Sequence, residues 1–494
     1  MSTISPSVPK ASSTPQSSFV RHWSDYALLV GVLIAAAFFA IGAPAGVDPR
    51  GWHALGLLIP VIIIWATEAI PSGMASVFFL AIIVGFQIVK PGTAFAGFTT
   101  HLPWLMAGAF VLGAAMEQSG FSKRMTYWLL SRLRGVWGLV IAAYASNIFL
   151  IGVPSSSARA AILAPILNSI MSSIGRPTDS KLSRFLSFNF INATVNLLSV
   201  LSLTGGAANV VMLALYTQLT GKTLGWTEWL VLMFLPTIIL MGATCAASAM
   251  FAWPEAELAA KLQDSAAAKE AYAKLGPMTA NEWKVVGMFV LVVLLWVTGS
   301  WTHWDPGFVA IFVAGLLFVP DIGVLKPKAV RDVNWDIFML IGAVIGIAGI
   351  LNETGMIKVV SDALIGPVLN PLAHWGLPGI AIGAIIVSLV AHFLLPSPSN
   401  LTLALPLLIT WGTQTMHLPA DVVLAFLAMV SVLGNLMVVL AYQMPPDYIF
   451  LGMEVTDTRK FNGLLIAIYP IACVAIFICA YVIYWTIHIT GFGV

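Results

Sequence analysis

The sequence predicts an all-α polytopic membrane protein of about 11 transmembrane helices, built from two inverted repeats. Each repeat is expected to hold a re-entrant hairpin and a broken helix. Three observations lead there. The first is composition: of 494 residues, 59% are hydrophobic and 9% charged, and mean hydropathy is +0.94. Soluble domains carry about 25% charged residues. The second is a weak internal repeat in the order of apolar runs and Pro/Ser-rich breaks. The third is an uneven placement of Lys and Arg along that repeat. Net charge of +2 gives no reason to expect nucleic acid as a partner.

The elements follow in order. Residues 1–25 are Ser/Thr/Pro-rich and expected to be disordered. The first apolar run starts near Tyr26, later than a secretory signal would place it, so 26–50 is read as a retained transmembrane helix. The first repeat, 51–252, has spans near 54–69, 73–89, 104–119, 186–219 (broken) and 227–251. The second, 282–494, has spans near 283–299, 307–324, 335–352, 420–452 (broken) and 462–488. Segments 137–172 and 376–415 are read as hairpins that enter and leave on one side. Between the repeats lies the long charged stretch 253–281, read as a solvated or interfacial helix on the cytoplasmic side. Cys245, Cys473 and Cys479 all sit in apolar runs and read as packed thiols.

The orientation comes from the basic residues. With the N-terminus cytoplasmic, the inside loops hold Lys123, Arg124, Arg132, Arg134, Arg176, Lys181, Arg184, Lys326, Lys328, Arg331, Arg459 and Lys460. The outside segments hold Arg50, Lys90, Lys222 and Lys358. The segment after Gly120, "FSKRMTYWLLSRLRG", is strongly basic, whereas its counterpart after Gly355, "MIKVVSDALIGPVL", is nearly neutral. Five crossings per repeat invert the second copy, and that inversion predicts the asymmetry.

The polar breaks carry the chemistry. "VPSSSAR" places Ser155, Ser156 and Ser157 at the tip of the first hairpin; "LLPSPSNLT" places Ser399, Asn400 and Thr402 at the second. A helix start leaves unpaired N–H groups and a partial positive charge, and serine hydroxyls add donors. Two such tips suit a molecule with two anionic ends. Taken singly, each break reads first as an ordinary capped loop; the matched pair is what favours a site. Arg159 stays charged and costs about 2.5–3.5 kcal/mol at the bilayer centre, so it either lines an aqueous site or snorkels to water. Unwinding near Gly205, Gly206 and Asn209, and near Pro446 and Asp447, frees backbone carbonyls suited to Na⁺. For Asp447 three readings are open: cation ligand, proton carrier, or interfacial residue. His392 reads as a hydrogen-bonded packing residue ahead of a proton carrier, and Glu68 as a cap at a cytoplasmic turn. No cofactor is implied beyond such a Na⁺.

These residues resemble the divalent anion/sodium symporter family, which includes dicarboxylate and citrate carriers and 2-oxoglutarate/malate translocators. The motifs are "WATEAIPSG" (Trp65–Gly73), "PSSSAR", "TGGAANVV", "LGPMTANEW" and "AHFLLPSPSN", in order along nearly the whole chain after about Asp48. The resemblance implies an elevator-type homodimer in the cytoplasmic membrane that moves di- or tricarboxylates. It implies Ser-Asn-Thr at each tip; here the tips read Ser155-Ser156-Ser157 and Ser399-Asn400-Leu401. It implies Thr-Pro-Pro-Asn-like breaks; here they read Gly206-Ala207-Ala208-Asn209 and Met444-Pro445-Pro446-Asp447. Ala158-Arg159 after the first tip is similar to the exchanger and citrate-carrier branch. Na⁺ symport and anion exchange both stay open, as does a carrier of sulfate or organosulfonates. An intramembrane hydrolase using a hairpin serine with His392 is disfavoured, since the serines lack a nucleophile-elbow glycine pattern and no HExxH is present. The chain is not expected to be an enzyme.

Overall fold

The computed structural model describes residues 18–67, 69–149, 156–175, 177–263, 266–395, 397, 399–436 and 444–493, and every regular element among them is helical. One helix, α1 (Ser18–Ile41), precedes the first half. That half comprises α2 (Pro49–Thr67), α3 (Ser72–Gly85), α4 (His101–Gln118) and the basic α5 (Phe121–Arg132). It continues with the first hairpin, α6 (Gly135–Phe149) and α7 (Ser156–Ser173). A broken helix follows, α8 (Lys181–Asn192) and α9 (Ala207–Thr220), and then α10 (Trp226–Phe251).

The second half runs through the same order. It starts with α11 (Ala280–Thr302), α12 (Pro306–Leu316), α13 (Trp335–Glu353) and α14 (Met356–Leu364). The second hairpin is α15 (Leu377–Leu394) and α16 (Ser399–Thr410). The second broken helix enters through 420–429 and α17 (Val430–Leu436), and leaves through α18 (Pro445–Leu451). The last helix is α19 (Thr458–Thr490).

The halves interlock by exchanging equivalent contacts. α12 packs on α4, and its counterpart α3 packs on α13. α10 packs on its own counterpart, α19. α16 packs on α9, and α7 on α18. Each hairpin therefore leans on the broken helix of the other half. Such reciprocity is what a pseudo-two-fold relation between repeats produces. In lipid, close helix contact comes from small residues and tight van der Waals packing. The Gly- and Ala-rich runs of α4 and α13 are buried accordingly.

The "WATEAIPSG" motif is one such contact. Asp336 Oδ1, at the start of α13, accepts the backbone N–H groups of Gly73 (2.9 Å) and Met74 (3.2 Å). A Cβ on Gly73 would lie 2.0 Å from the Asp336 carbonyl oxygen, so only glycine allows this approach. Trp65 closes the turn by donating Nε1–H to the Ser72 carbonyl at 3.2 Å. Glu68 lies outside the described residues.

Two expectations need adjustment. Six described helices are long and apolar enough to cross a bilayer, fewer than the spans expected from the apolar runs. α12 shows why: its 11 residues reach about 16 Å against a core of about 30 Å. Residues 317–324 turn instead of continuing it, with Asp321 at φ 66°. The linker, expected as one helix, forms Ala256–Ala260 and Ala266–Ala273 and then docks on α5. Arg124 of α5 donates to Glu282 (Nε–Oε1 2.6 Å, Nη2–Oε2 3.1 Å) and to the Gly276 and Pro277 carbonyls (2.7 and 3.1 Å). Glu282 also completes a capping box with Thr279 at the start of α11. "LGPMTANEW" is thus the clasp that joins the linker to the first half. The cysteines are free thiols, Cys479 buried and the others half-buried.

Candidate functional site

The first tip begins at α7, where Ser156 and Ser157 are half-buried in the opening turn. Ser155 lies outside the described residues. One turn further on, Arg159 is fully buried. Its Nε and Nη2 donate to the Thr194 carbonyl at 3.0 and 2.9 Å, and Nη1 donates to the Gly205 carbonyl at 3.2 Å. Nη2 also lies 3.4 Å from Ser199 Oγ. Local backbone geometry explains those acceptors. α8 widens into a π-helical stretch at Ala193–Leu197 and then breaks through 202–206 before α9. Such bulges displace carbonyls from the regular ladder. Gly205 is required at the break because a Cβ there would meet the Leu198 carbonyl oxygen at 1.9 Å.

Asn209 completes the first break. Its Nδ2 donates to the Ser199 carbonyl at 2.7 Å and the Ser202 carbonyl at 2.8 Å. Trp229 Nε1 donates to the Val200 carbonyl at 3.2 Å. The expectation that unwinding frees this backbone for a cation is therefore corrected in part. The carbonyls of Ser199, Ser202 and Gly205 accept side-chain N–H groups, and that of Gly206 accepts the Asn209 N–H at 3.3 Å. Asn209 acts here as a donor, although its Oδ1 has no hydrogen-bond partner among the described residues. Arg159 likewise fixes the tip to the break, and so supplies a permanent positive charge one turn from the serines.

The second tip is built differently. Ser399 and Asn400 are buried in the first turn of α16. Asn400 Nδ2 lies 2.7 Å from His392 Nδ1. With the amide nitrogen as donor, Nδ1 is the accepting ring nitrogen. His392 is thus a buried, hydrogen-bonded packing residue whose partner is Asn400. His392 sits on the last turn of α15, eight residues before Asn400. Asn400 Oδ1 has no partner among the described residues. Ser399 Oγ lies 3.4 Å from Ser72 Oγ, at the start of α3.

Thr402 does not join them. Its hydroxyl donates to the Ser399 carbonyl at 2.6 Å. Its side chain lines an apolar cavity of about 600 Å³, whose walls include Trp65, Leu351, Met356 and Leu407. Pro446 and Asp447 open α18, both buried. Neither carboxylate oxygen of Asp447 has a partner among the described residues.

Sequence reasoning also missed a polar ladder on α8. Asn189, Asn192 and Asn196 fall on one face at intervals of three and four residues, and that spacing was the available signal. Asn192 Nδ2 donates to Tyr144 Oη (2.7 Å) and Thr244 Oγ1 (3.0 Å), and Asn196 Nδ2 donates to Asn192 Oδ1 (2.7 Å).

Interlocked halves, each with a hairpin tip leaning on the other's broken helix, are the arrangement characteristic of secondary transporters built on internal repeats. The chain belongs to the family described as the sodium:sulfate symporter transmembrane region, whose model matches residues 21–490. The motif resemblance to divalent anion/sodium symporters therefore holds. The chain is similar to the chloroplastic dicarboxylate transporter 1 of Spinacia oleracea, 27% identical over 68% of this chain. That match spans 60% of the spinach protein, under two thirds of its length. The chain is also 24% identical to the L-tartrate/succinate antiporter of Shigella sonnei, over 89% of this chain and 93% of the antiporter. Its fold is similar to that of the Alcanivorax borkumensis YdaH transporter, with a TM-score of 0.50 and 15% identity. That likeness covers 84% of this chain and 90% of the other.

Proposed function

We propose that the chain carries di- or tricarboxylate anions across the cytoplasmic membrane by exchange, as a homodimer with its N-terminus in the cytoplasm. The substrate class is supported by the relatives' names, a dicarboxylate transporter and a tartrate/succinate antiporter. Paired tips at Ser155–Ser157 and Ser399–Asn400 suit an anion with two charged ends. An elevator motion is the reading for the hairpins and broken helices, with the α3, α4, α12 and α13 interlock as the stationary part.

One observation carries exchange: Arg159 donates to the Thr194 and Gly205 carbonyls at the first break. A fixed guanidinium occupies acceptors that a mobile Na⁺ would otherwise use. Its charge offsets a bound dianion. With the anion gone, the buried guanidinium loses the charge that a dianion supplies, and return of the empty carrier is slower than return of the loaded one. A second reading, a carrier of sulfate or organosulfonate, is favoured by the family's description as sodium:sulfate symporters.

Counterflow decides between them. Proteoliposomes loaded with succinate, malate, citrate or sulfate are given labelled succinate outside in Na⁺-free buffer. Uptake driven by internal carboxylates and not by sulfate supports the proposal. Uptake driven by sulfate alone would replace it with the second reading.

A further inference from the structure

Thr402 turns away from the second tip and lines a cavity that anion transport does not use. The space, about 600 Å³, is bounded by α2, α13, α14 and α16. Pockets that take apolar ligands span about 300–1,000 Å³. Along α2 the wall runs from Trp52 to Trp65, about 20 Å of helix. One leaflet of hydrocarbon is about 15 Å deep, half of the bilayer core.

The chemistry of the wall selects an apolar occupant. Among the described residues it has three side-chain donors, and all are spent. Thr402 Oγ1–H donates to the Ser399 carbonyl at 2.6 Å. Trp52 Nε1–H donates to the Phe38 carbonyl at 2.9 Å, and Trp65 Nε1–H to the Ser72 carbonyl at 3.2 Å. The other lining side chains are aliphatic, methionine or proline. No side-chain donor is left for a carboxylate, and a bound water needs about two to four polar partners.

The surroundings supply such an occupant. α2 and α13 are both long and apolar enough to cross a bilayer. α14 is amphipathic, as helices at a membrane interface are. Its apolar face lines the cavity, and Lys358 and Asp362 pair at 2.8 Å on its polar face. Val359 and Leu364 of that lining are exposed, so the space meets the surrounding medium beside α14. The end at Trp52 carries charge. Arg50, half-exposed at the start of α2, pairs with Asp48 at 2.9 Å and with Glu353 at 3.8 Å. A rim of both signs complements a zwitterionic head group, its phosphate toward the guanidinium and its ammonium toward the carboxylates.

We propose that one acyl chain of a zwitterionic membrane phospholipid occupies this cavity, with its head group at the Arg50 rim and its chain end beside Trp65. The chain keeps α16 from interdigitating with α2 and α13, so the second hairpin slides on hydrocarbon. That consequence rests on the elevator reading; occupancy does not.

Photocrosslinking tests occupancy. The full-length protein is placed in nanodiscs containing phosphatidylethanolamine with a diazirine near the end of one acyl chain, irradiated, and mapped by peptide mass spectrometry. Trp65 and Leu407 should be labelled, although both are buried and out of reach of lipid on the outer surface. Exposed Phe234 on α10 reports that outer lipid. Ala348→Phe adds a ring to the cavity wall, and should lose the Trp65 and Leu407 labels while keeping that of Phe234. Labels confined to exposed residues such as Phe234 overturn the proposal. So do Trp65 and Leu407 labels that survive Ala348→Phe. Labelling of the wall by a diazirine-bearing free fatty acid but not by the phospholipid also overturns it. If the variant fails to fold, the wild-type pattern decides alone. Failed counterflow leaves occupancy intact, and an unlabelled wall leaves the carboxylate exchange reading intact.

Discussion

The first half of the chain ties its break with donors; the second holds a buried carboxyl whose oxygens have no partner among the described residues. In the first, Arg159 and Asn209 satisfy the Thr194, Ser199, Ser202 and Gly205 carbonyls. In the second, Asp447 stands where Asn209 stands, with both oxygens unpartnered among the described residues. The amphipathic helices differ in the same direction. Arg124 of α5 is buried against Glu282, whereas Lys358 of α14 meets Asp362 at the surface, both about two-fifths exposed. Repeats that share a fold have thus divided their labour. The first holds fixed charge in a bonded frame, and the second buries a carboxyl without such a frame among the described residues.

The largest break in that contrast comes from Arg124→Ala. It strands Glu282 in a buried setting and should lower stability by about 3–5 kcal/mol, read by unfolding in detergent. Asn209→Asp should make the first break resemble the second. It turns a donor into an acceptor facing the Ser199 and Ser202 carbonyls, and should cost about 1–3 kcal/mol for each carbonyl left unpaired. The equivalent change in the second half, Asp447→Asn, should not destabilise the fold, and a matching loss there would remove the contrast. Asn400→Ala should weaken carboxylate binding by about 1–3 kcal/mol without changing the unfolding temperature comparably, as measured by calorimetric titration. Lys358→Ala should change stability by at most about 0.5 kcal/mol, because the pair is solvated and of the i,i+4 kind.

The apolar runs and the breaks made the helical architecture legible, because lipid demands long apolar helices and interrupts them only at protected sites. The paired order of elements also exposed the repeat. Local sequence could not give the partners across halves. Gly73 reads as a turn glycine until Asp336 is placed against it, 263 residues away. Arg159 was legible as a buried charge near the tip, but not as a strut on Thr194 and Gly205. Those acceptors exist only because α8 widens at Ala193–Leu197. Thr402 sits in the tip motif, yet helical rotation sends it to an apolar wall. His392 was legible as a hydrogen-bonded packing residue, but its partner Asn400, on the next helix, was not.

The fixed charge at the first break is the centre of the account, and efflux from preloaded proteoliposomes in Na⁺-free buffer tests it most directly. Vesicles holding labelled succinate are diluted into medium with or without unlabelled succinate. The account predicts rapid efflux only when external anion is present, and loss of that efflux in Arg159→Ala. Transport by the wild type that requires Na⁺ and proceeds without a counter-anion would contradict it.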